Sequence, residues 1–225
     1  MGLTLFHGSE RVISAPVYGL GKRTNDYGRG FYCTETSALA GEWACGDGRD
    51  GFINTYDLQM EDLQVLYLNK EPYTILHWMA LLANYRGYWQ QKSVAEEAKE
   101  YLQTFFLPDI GTYDLIVGYR ADDSYFSFAQ DFISGGISLQ QLSKAMHLGK
   151  LGEQIVLKSP AAFSKLQFLS AEAAYAKEYY LKKVQRDREA RLQYRNMRAE
   201  RSALHDIFML DIMREGMKGD DPRLR

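Results

Sequence analysis

Residues 5–35 read LFHGSERVISAPVYGLGKRTNDYGRGFYCTE, a glycine-rich segment without the three-to-four-residue spacing of apolar side chains that marks a helix. His7 and Tyr32 stand at the ends of short apolar runs at either end of it. Glycine lets the backbone turn sharply or pass close to a bound group. The pattern therefore predicts short strands and loops that border a small-molecule site.

Composition predicts one globular body with an extension. Of the 225 residues, 46% are hydrophobic, which is enough for a sizeable core. Cys33 and Cys45 fit no common zinc-ligand spacing, so we expect reduced thiols and no metal site. The sequence has no apolar run long enough to span a membrane, and its first residues do not resemble a signal peptide. We therefore expect a cytoplasmic protein.

Charge divides the chain near residue 170. Residues 1–170 contain 14 Lys and Arg against 19 Asp and Glu, whereas residues 171–225 contain 13 against 10. Most of the basic excess lies within 182–201. This step in charge predicts a globular domain over 1–170 and an extension over 171–225.

Apolar spacing predicts that the body mixes strands and helices, which places it in the α+β class. Strands are expected at 52–59, 63–68, 112–120 and 151–159. Helices are expected at 36–45, 124–136 and 138–150, and two more within a helical insertion at 71–111.

Residues 171–217 contain no proline and one glycine, which predicts a single long helix. At 1.5 Å per residue it would extend roughly 70 Å. Its middle is polar on nearly all sides, which is typical of a helix covered by solvent or by a partner. Its basic stretch could contact nucleic-acid phosphates or an acidic partner, and its apolar end could support self-association.

Four short motifs carry a resemblance to a known family. HGS stands at 7–9, GRGFYCTE at 28–35, and an aromatic residue, Trp43, follows Tyr32 by eleven positions. GEQIVLKS, at 152–159, places Glu153 at the opening of a strand. In this order the motifs resemble the ADP-ribosyltransferase superfamily, in the branch shared by diphtheria toxin and the poly(ADP-ribose) polymerases. The resemblance spans about residues 3–168 and implies a split β-sheet that binds NAD.

The resemblance implies that His7, Tyr32 and Glu153 form the catalytic set. Cleavage of the bond between nicotinamide and ribose passes through an oxocarbenium-like state, as in glycoside hydrolysis. The carboxylate of Glu153 would stabilise that positive charge. Tyr32 and Trp43 would stack on the cationic nicotinamide ring, with a cation–π contribution of about 0.5–2 kcal/mol.

Further NAD contacts are implied for the first motif and the loop that follows it. Gly8 would let its backbone approach the nicotinamide carboxamide. His7 would bind the adenosine ribose and Ser9 a neighbouring polar atom. Arg29, with Lys22 and Arg23 on the same loop, would bind the pyrophosphate.

The leading hypothesis is a mono-ADP-ribosyltransferase that consumes NAD and modifies a protein or nucleic acid, in the manner of a small bacterial toxin. An antitoxin or a second copy could then bind 171–217. Three alternatives stay open: an NAD glycohydrolase of the same fold, an RNA 2′-phosphotransferase, and a non-catalytic module that acts through the C-terminal helix.

Overall fold

The chain forms a mixed α+β structure around two β-sheets in the computed structural model, which describes residues 2–86, 93–121, 123–148, 152–200, 203 and 205–225. The described strands are β1 (Gly2–Ser9), β2 (Phe31–Cys33), β3 (Gly51–Gln59), β4 (Val65–Tyr67), β5 (Leu115–Tyr119), β6 (Glu153–Leu157) and β7 (Leu166–Ala174). The first sheet has the order β1-β3-β7 and the second the order β2-β6-β5-β4. All pairs are antiparallel except β4 with β5.

The helices surround these sheets. Within the described residues they are α1 (Ser37–Ala44), α2 (Ile75–Tyr85), α3 (Ser93–Phe105), α4 (Asp123–Ile133), α5 (Leu139–Ala145), α6 (Pro160–Ser164), α7 (Ala176–Ala199) and α8 (Met209–Arg214). The predicted α+β class and the two helices of the 71–111 insertion are confirmed, although 87–92 lie outside the described residues. Ser138 caps α5, because its hydroxyl accepts a hydrogen bond from the Gln141 backbone amide at 3.2 Å.

Two backbone hydrogen bonds join the sheets at the point that positions the site. The Phe6 amide donates to the Thr34 carbonyl at 2.8 Å, and the Thr34 amide donates to the Phe6 carbonyl at 2.9 Å. Thr34 directly follows β2, so this bridge places the end of β1 beside the end of β2. Leu5 of β1, Leu58 of β3 and Ile155 of β6 belong to one small apolar core, which therefore includes residues of both sheets.

The C-terminal part departs from its prediction. The strand β7 crosses the expected boundary between residues 170 and 171 and pairs with β3. The helix α7 then has 24 residues, a length of about 36 Å, and its C-cap residue Glu200 has an extended backbone. The predicted continuous helix over 171–217 is therefore wrong; of that range, 201, 202 and 204 lie outside the described residues.

The helix α7 packs on the body instead of standing apart from it. Tyr179 contacts α1, and the ring of Tyr194 stacks on that of Phe128 with their centroids 3.9 Å apart. The inward face also includes Arg186, which forms an ion pair with Glu42 of α1. Because polar side chains make up much of this face, the helix has almost no apolar stripe, and its sequence resembles that of a solvated helix.

None of the helices that the structure describes is both long enough and apolar enough to cross a membrane.

Candidate functional site

Two adjoining cavities meet at the junction of β1 and β2. The smaller, which we call the Trp43 cavity, has a volume of about 380 Å³, and the larger, the loop cavity, has about 550 Å³. They share His7, Asn25 and Tyr32 as lining residues. The Trp43 cavity is lined by His7, Gly8, Asn25, Asp26, Tyr32, Trp43, Arg86, Arg120, Ala121, Gln154 and Lys183. Both volumes fall in the range of small-molecule sites.

His7 is held at the wall between the two cavities. Its Nδ1 lies 2.7 Å from the carbonyl oxygen of Tyr32, and its ring lies against Phe31 with centroids 4.3 Å apart. A carbonyl can only accept, so Nδ1 carries the hydrogen and Nε2 of the neutral ring is left as an acceptor. Burial lowers the pKa of His7, and the hydrogen bond to Tyr32 partly opposes that shift.

Tyr32 presents its ring and not its hydroxyl to the site. The hydroxyl donates to the Gly28 carbonyl at 2.7 Å and accepts from the Tyr27 amide at 3.0 Å. Burial raises the pKa of Tyr32 well above its usual value, so the phenol stays protonated. Both hydrogen bonds hold the turn at 27–28 against β2, which fixes the orientation of the ring.

Trp43 of α1 faces the same cavity and already interacts with a cation. The guanidinium carbon of Arg120 lies 4.5 Å from the centre of the Trp43 ring, a cation–π geometry. The indole Nε1 is buried and has no hydrogen-bond partner among the described residues. The ring is therefore placed to bind a positively charged group.

Gly8 lines the Trp43 cavity, and the close packing of helix α1 against it is what requires a glycine at this position. A Cβ atom at position 8 would lie 1.9 Å from the Ala40 carbonyl oxygen and 2.7 Å from the Ala44 nitrogen, both in α1. The sequence-based reason, close approach of the backbone to a ligand, is thus not needed to explain this glycine. Its absence of a side chain lets α1 pack directly on β1.

Ser9 and Arg29 lie away from the two cavities. The Ser9 hydroxyl donates to the Arg11 carbonyl at 2.6 Å and accepts from Asn54 Nδ2 at 2.9 Å, so it stabilises the end of β1. Arg29 lines a separate cleft with Tyr85 and Lys158, which also includes Arg23. The structure therefore does not place Arg29 beside His7, contrary to the expectation.

Glu153 is the main correction to the expected site. Tyr32 pairs with Val156 across β2 and β6, and side chains on a strand alternate between its faces. Gln154 therefore shares a face with Tyr32 and lines the Trp43 cavity, whereas Glu153 lies on the opposite face and lines neither cavity. The carboxylate of Glu153 instead accepts a hydrogen bond from Asn69.

A buried network holds Gln154 in place, and no sequence pattern indicates it. Asp26, which is 5% exposed, accepts hydrogen bonds from Arg86 Nε at 2.8 Å, the Ala121 amide at 2.9 Å and Gln154 Nε2 at 2.9 Å. Gln154 Nε2 also donates to the Tyr119 carbonyl at 3.1 Å. Both neighbours of Nε2 are acceptors, so the amide orientation is fixed and Oε1 faces away from them.

Comparison with known proteins places the chain in one family. A family model described as "Protein of unknown function (DUF3990)" matches residues 3–168. The chain belongs to that family. Searches of the curated proteins and of the solved structures found no match.

The DUF3990 match contains almost the whole site. It includes every lining residue of the Trp43 cavity except Lys183, which α7 contributes from outside the matched segment. Among the residues that the structure describes, no group of three or more His, Cys, Asp or Glu side chains is arranged to hold a metal ion.

Proposed function

We propose that this DUF3990 protein is a mono-ADP-ribosyltransferase that binds NAD across the two cavities, releases nicotinamide and transfers ADP-ribose to an acceptor. One observation carries the proposal. His7 and Tyr32, from two motifs 25 residues apart, are joined by a hydrogen bond and line one cavity with Trp43. They carry three of the four motifs on which the resemblance to ADP-ribosyltransferases rests; Glu153, in the fourth, lines neither cavity.

The pair of cavities suits a dinucleotide. The Trp43 cavity would take the nicotinamide riboside, whose cationic ring gains about 0.5–2 kcal/mol from an aromatic face. Arg120 would have to leave the Trp43 ring, because two cations on one ring face repel each other. The loop cavity, with Phe31 and Phe163 among its lining residues, would take the adenosine.

Gln154 would contact the ribose that reacts. Its amide oxygen faces away from Asp26 and Tyr119 and can accept a hydrogen bond from a ribose hydroxyl. Asp26 accepts from the other end of the same amide, which polarises the oxygen and strengthens that hydrogen bond. The bond between nicotinamide and C1′ breaks with its electron pair going to the nicotinamide nitrogen, and positive charge develops on the ribose. His7 Nε2 would accept from a hydroxyl of the other ribose.

The state of Asp26 favours transfer over hydrolysis. It is the carboxylate residue among the described lining residues of the Trp43 cavity, and three donors already engage it. Its oxygens are therefore already engaged by the protein and are not positioned to orient a water for attack. We favour an acceptor whose nucleophile is stronger than water and needs no base before it attacks; it bonds to C1′ and loses its proton to solvent afterwards.

The test uses the purified chain with NAD labelled in its adenylate half. We expect nicotinamide release, measured by chromatography, and label retained on material from a cell lysate; treating that material with protease or nuclease then identifies the acceptor class. Trp43→Leu should weaken NAD binding roughly tenfold through loss of the aromatic face, whereas Trp43→Phe should retain most of it. Nicotinamide release without labelling would instead support a glycohydrolase. A wild-type chain that neither binds nor consumes NAD would contradict the proposal.

A further inference from the structure

The helix α7 contributes to the lining of the Trp43 cavity, although it lies beyond the segment that the family model matches. Lys183 is the α7 residue that lines this cavity. It stands four residues after Tyr179 and three before Arg186, so all three side chains lie on one face of the helix. That face is the one in contact with the body.

Three contacts fix α7 against α1 and the loop before β3. The Ala176 amide donates to Asp50 Oδ1 at 2.7 Å at the start of the helix. The ring of Tyr179 packs directly on the backbone of α1 at Gly41. A Cβ atom added to Gly41 would lie only 2.4 Å from that ring. One turn after Lys183, Arg186 and Glu42 form an ion pair whose side chains are 16% and 8% exposed. Lys183 is thus held between two anchored positions.

The charges around the cavity leave a positive excess. Asp26 and Arg86 form an ion pair with Nη2 and Oδ1 2.6 Å apart, so their charges largely offset each other. Lys183 lines the same cavity and forms no ion pair with a carboxylate among the described residues, so its charge is left without such a partner. A partly enclosed cavity with excess positive charge attracts an anion, and phosphate is the anion that lysine commonly binds in proteins.

We propose that Lys183 binds a phosphate group of the ligand in the Trp43 cavity, which makes α7 part of the binding site. The ligand identity rests on the proposed function, in which the phosphate belongs to the pyrophosphate of NAD. This assignment replaces Arg29, which faces another cleft, as the residue that binds the pyrophosphate.

The experiment measures binding by calorimetry to the full chain with four probes: NAD, ADP-ribose, inorganic pyrophosphate and nicotinamide riboside. Lys183→Gln should weaken the first three about tenfold, because one charged hydrogen bond to phosphate is lost. It should leave nicotinamide riboside, which has no phosphate, unchanged. Lys183→Arg should restore most of the affinity, which a merely structural role for the side chain would not predict.

The matched control is Lys182→Gln, since Lys182 is exposed on the same helix and pairs with Glu178 at 2.7 Å. We expect this variant to bind all four probes as the wild type does. Equal affinity of Lys183→Gln and the wild type for ADP-ribose and pyrophosphate would overturn the inference, as would failure of the wild type to bind either. If binding of those two probes depends on Lys183 while NAD is neither bound nor consumed, the inference stands and the proposed function fails.

Discussion

The two sides of the Trp43 cavity are built from different kinds of sequence. One side comes from β1, β2 and α1, with His7, Tyr32 and Trp43 within a single stretch of 37 residues. The other side comes from β6 and α7, where Gln154 and Lys183 stand in ordinary-looking surroundings. The first side is recognisable because it has a motif. The second depends on which way each side chain faces, and tertiary packing decides that.

The difference shows what a short motif reports. Around His7 and Tyr32 the backbone itself is constrained, by the bridge between Phe6 and Thr34 and by the contact of Gly8 with α1. Such constraints restrict residue type at several neighbouring positions, and a pattern results. At Gln154 and Lys183 a single side chain of each element lines the cavity.

The largest expected effect tests the backbone constraint on the first side. Gly8→Ala places a methyl group 1.9 Å from the Ala40 carbonyl oxygen, and backbone atoms in a helix cannot move aside cheaply. We expect a loss of more than about 4 kcal/mol in the free energy of unfolding, or no folded protein. Denaturant titration followed by circular dichroism measures it.

The control for Gly8 is Gly48→Ala. Gly48 has a φ of 64°, and a Cβ atom placed there would meet nothing within 4 Å, so the cost is conformational only, about 1 kcal/mol. If both variants lost the same small amount, direct packing of α1 on β1 would be wrong.

On the second side, Arg186→Ala tests how firmly α7, the helix that carries Lys183, is held on the body. The substitution leaves the Glu42 carboxylate buried without its partner. We expect a loss of about 3 kcal/mol in the free energy of unfolding. Arg191→Ala removes an exposed pair with Asp187 on the same helix and should cost about 0.5 kcal/mol. Thermal and denaturant unfolding of the two variants gives the comparison.

The ion pair has a further testable property. Arg186 Nε and Nη1 are buried without a hydrogen-bond partner among the described residues, so much of the cost of burying the charge is not offset. The double variant Arg186→Leu, Glu42→Leu should therefore be at least as stable as Arg186→Ala alone. A double variant that is less stable than Arg186→Ala would contradict this explanation of the pair.

The smallest expected effect is the pH dependence contributed by His7. Its pKa in the folded chain lies below the ordinary value of 6.5, so as pH falls below about 6.5 the unfolded chain binds a proton that the folded chain does not. The free energy of unfolding should fall over that window, down to the lowered pKa. His7→Gln should remove this contribution, while His77, whose pKa burial also lowers, keeps its own. Identical pH profiles for the wild type and His7→Gln would show that His7 is not held neutral by burial.

Much of the fold can be predicted, because apolar spacing and caps are local properties. The class, the helices at α1, α2, α3, α4 and α5, and the strands β3, β4, β5 and β6 all follow from such patterns. The strand β7 and the end of α7 do not. Both lie in a stretch that lacks proline and is rich in helix-forming residues, and only pairing with β3 makes its first residues a strand.

The candidate site can be predicted only where the chain has a motif. The order of His7, Tyr32 and Trp43 along the chain predicts that they lie together, and they do line one cavity. The NAD cleavage implied by the resemblance calls for a carboxylate and so favours Glu153 over Gln154. The register of β6 against β2 nevertheless turns Gln154 to the cavity. A shift of one residue exchanges the two faces of a strand, and no local pattern fixes that register.

The most direct test of this account compares nicotinamide release by Gln154→Ala and Glu153→Ala, two identical substitutions at adjacent positions of β6. Release is measured at a temperature where thermal unfolding shows both variants to be folded. We expect Gln154→Ala to reduce the rate about 100-fold, because the proposed hydrogen bond to the reacting ribose is lost, and Glu153→Ala to stay within about twofold of the wild type. The reverse result, a large loss at Glu153 and little change at Gln154, would contradict the placement of Gln154 at the reacting ribose.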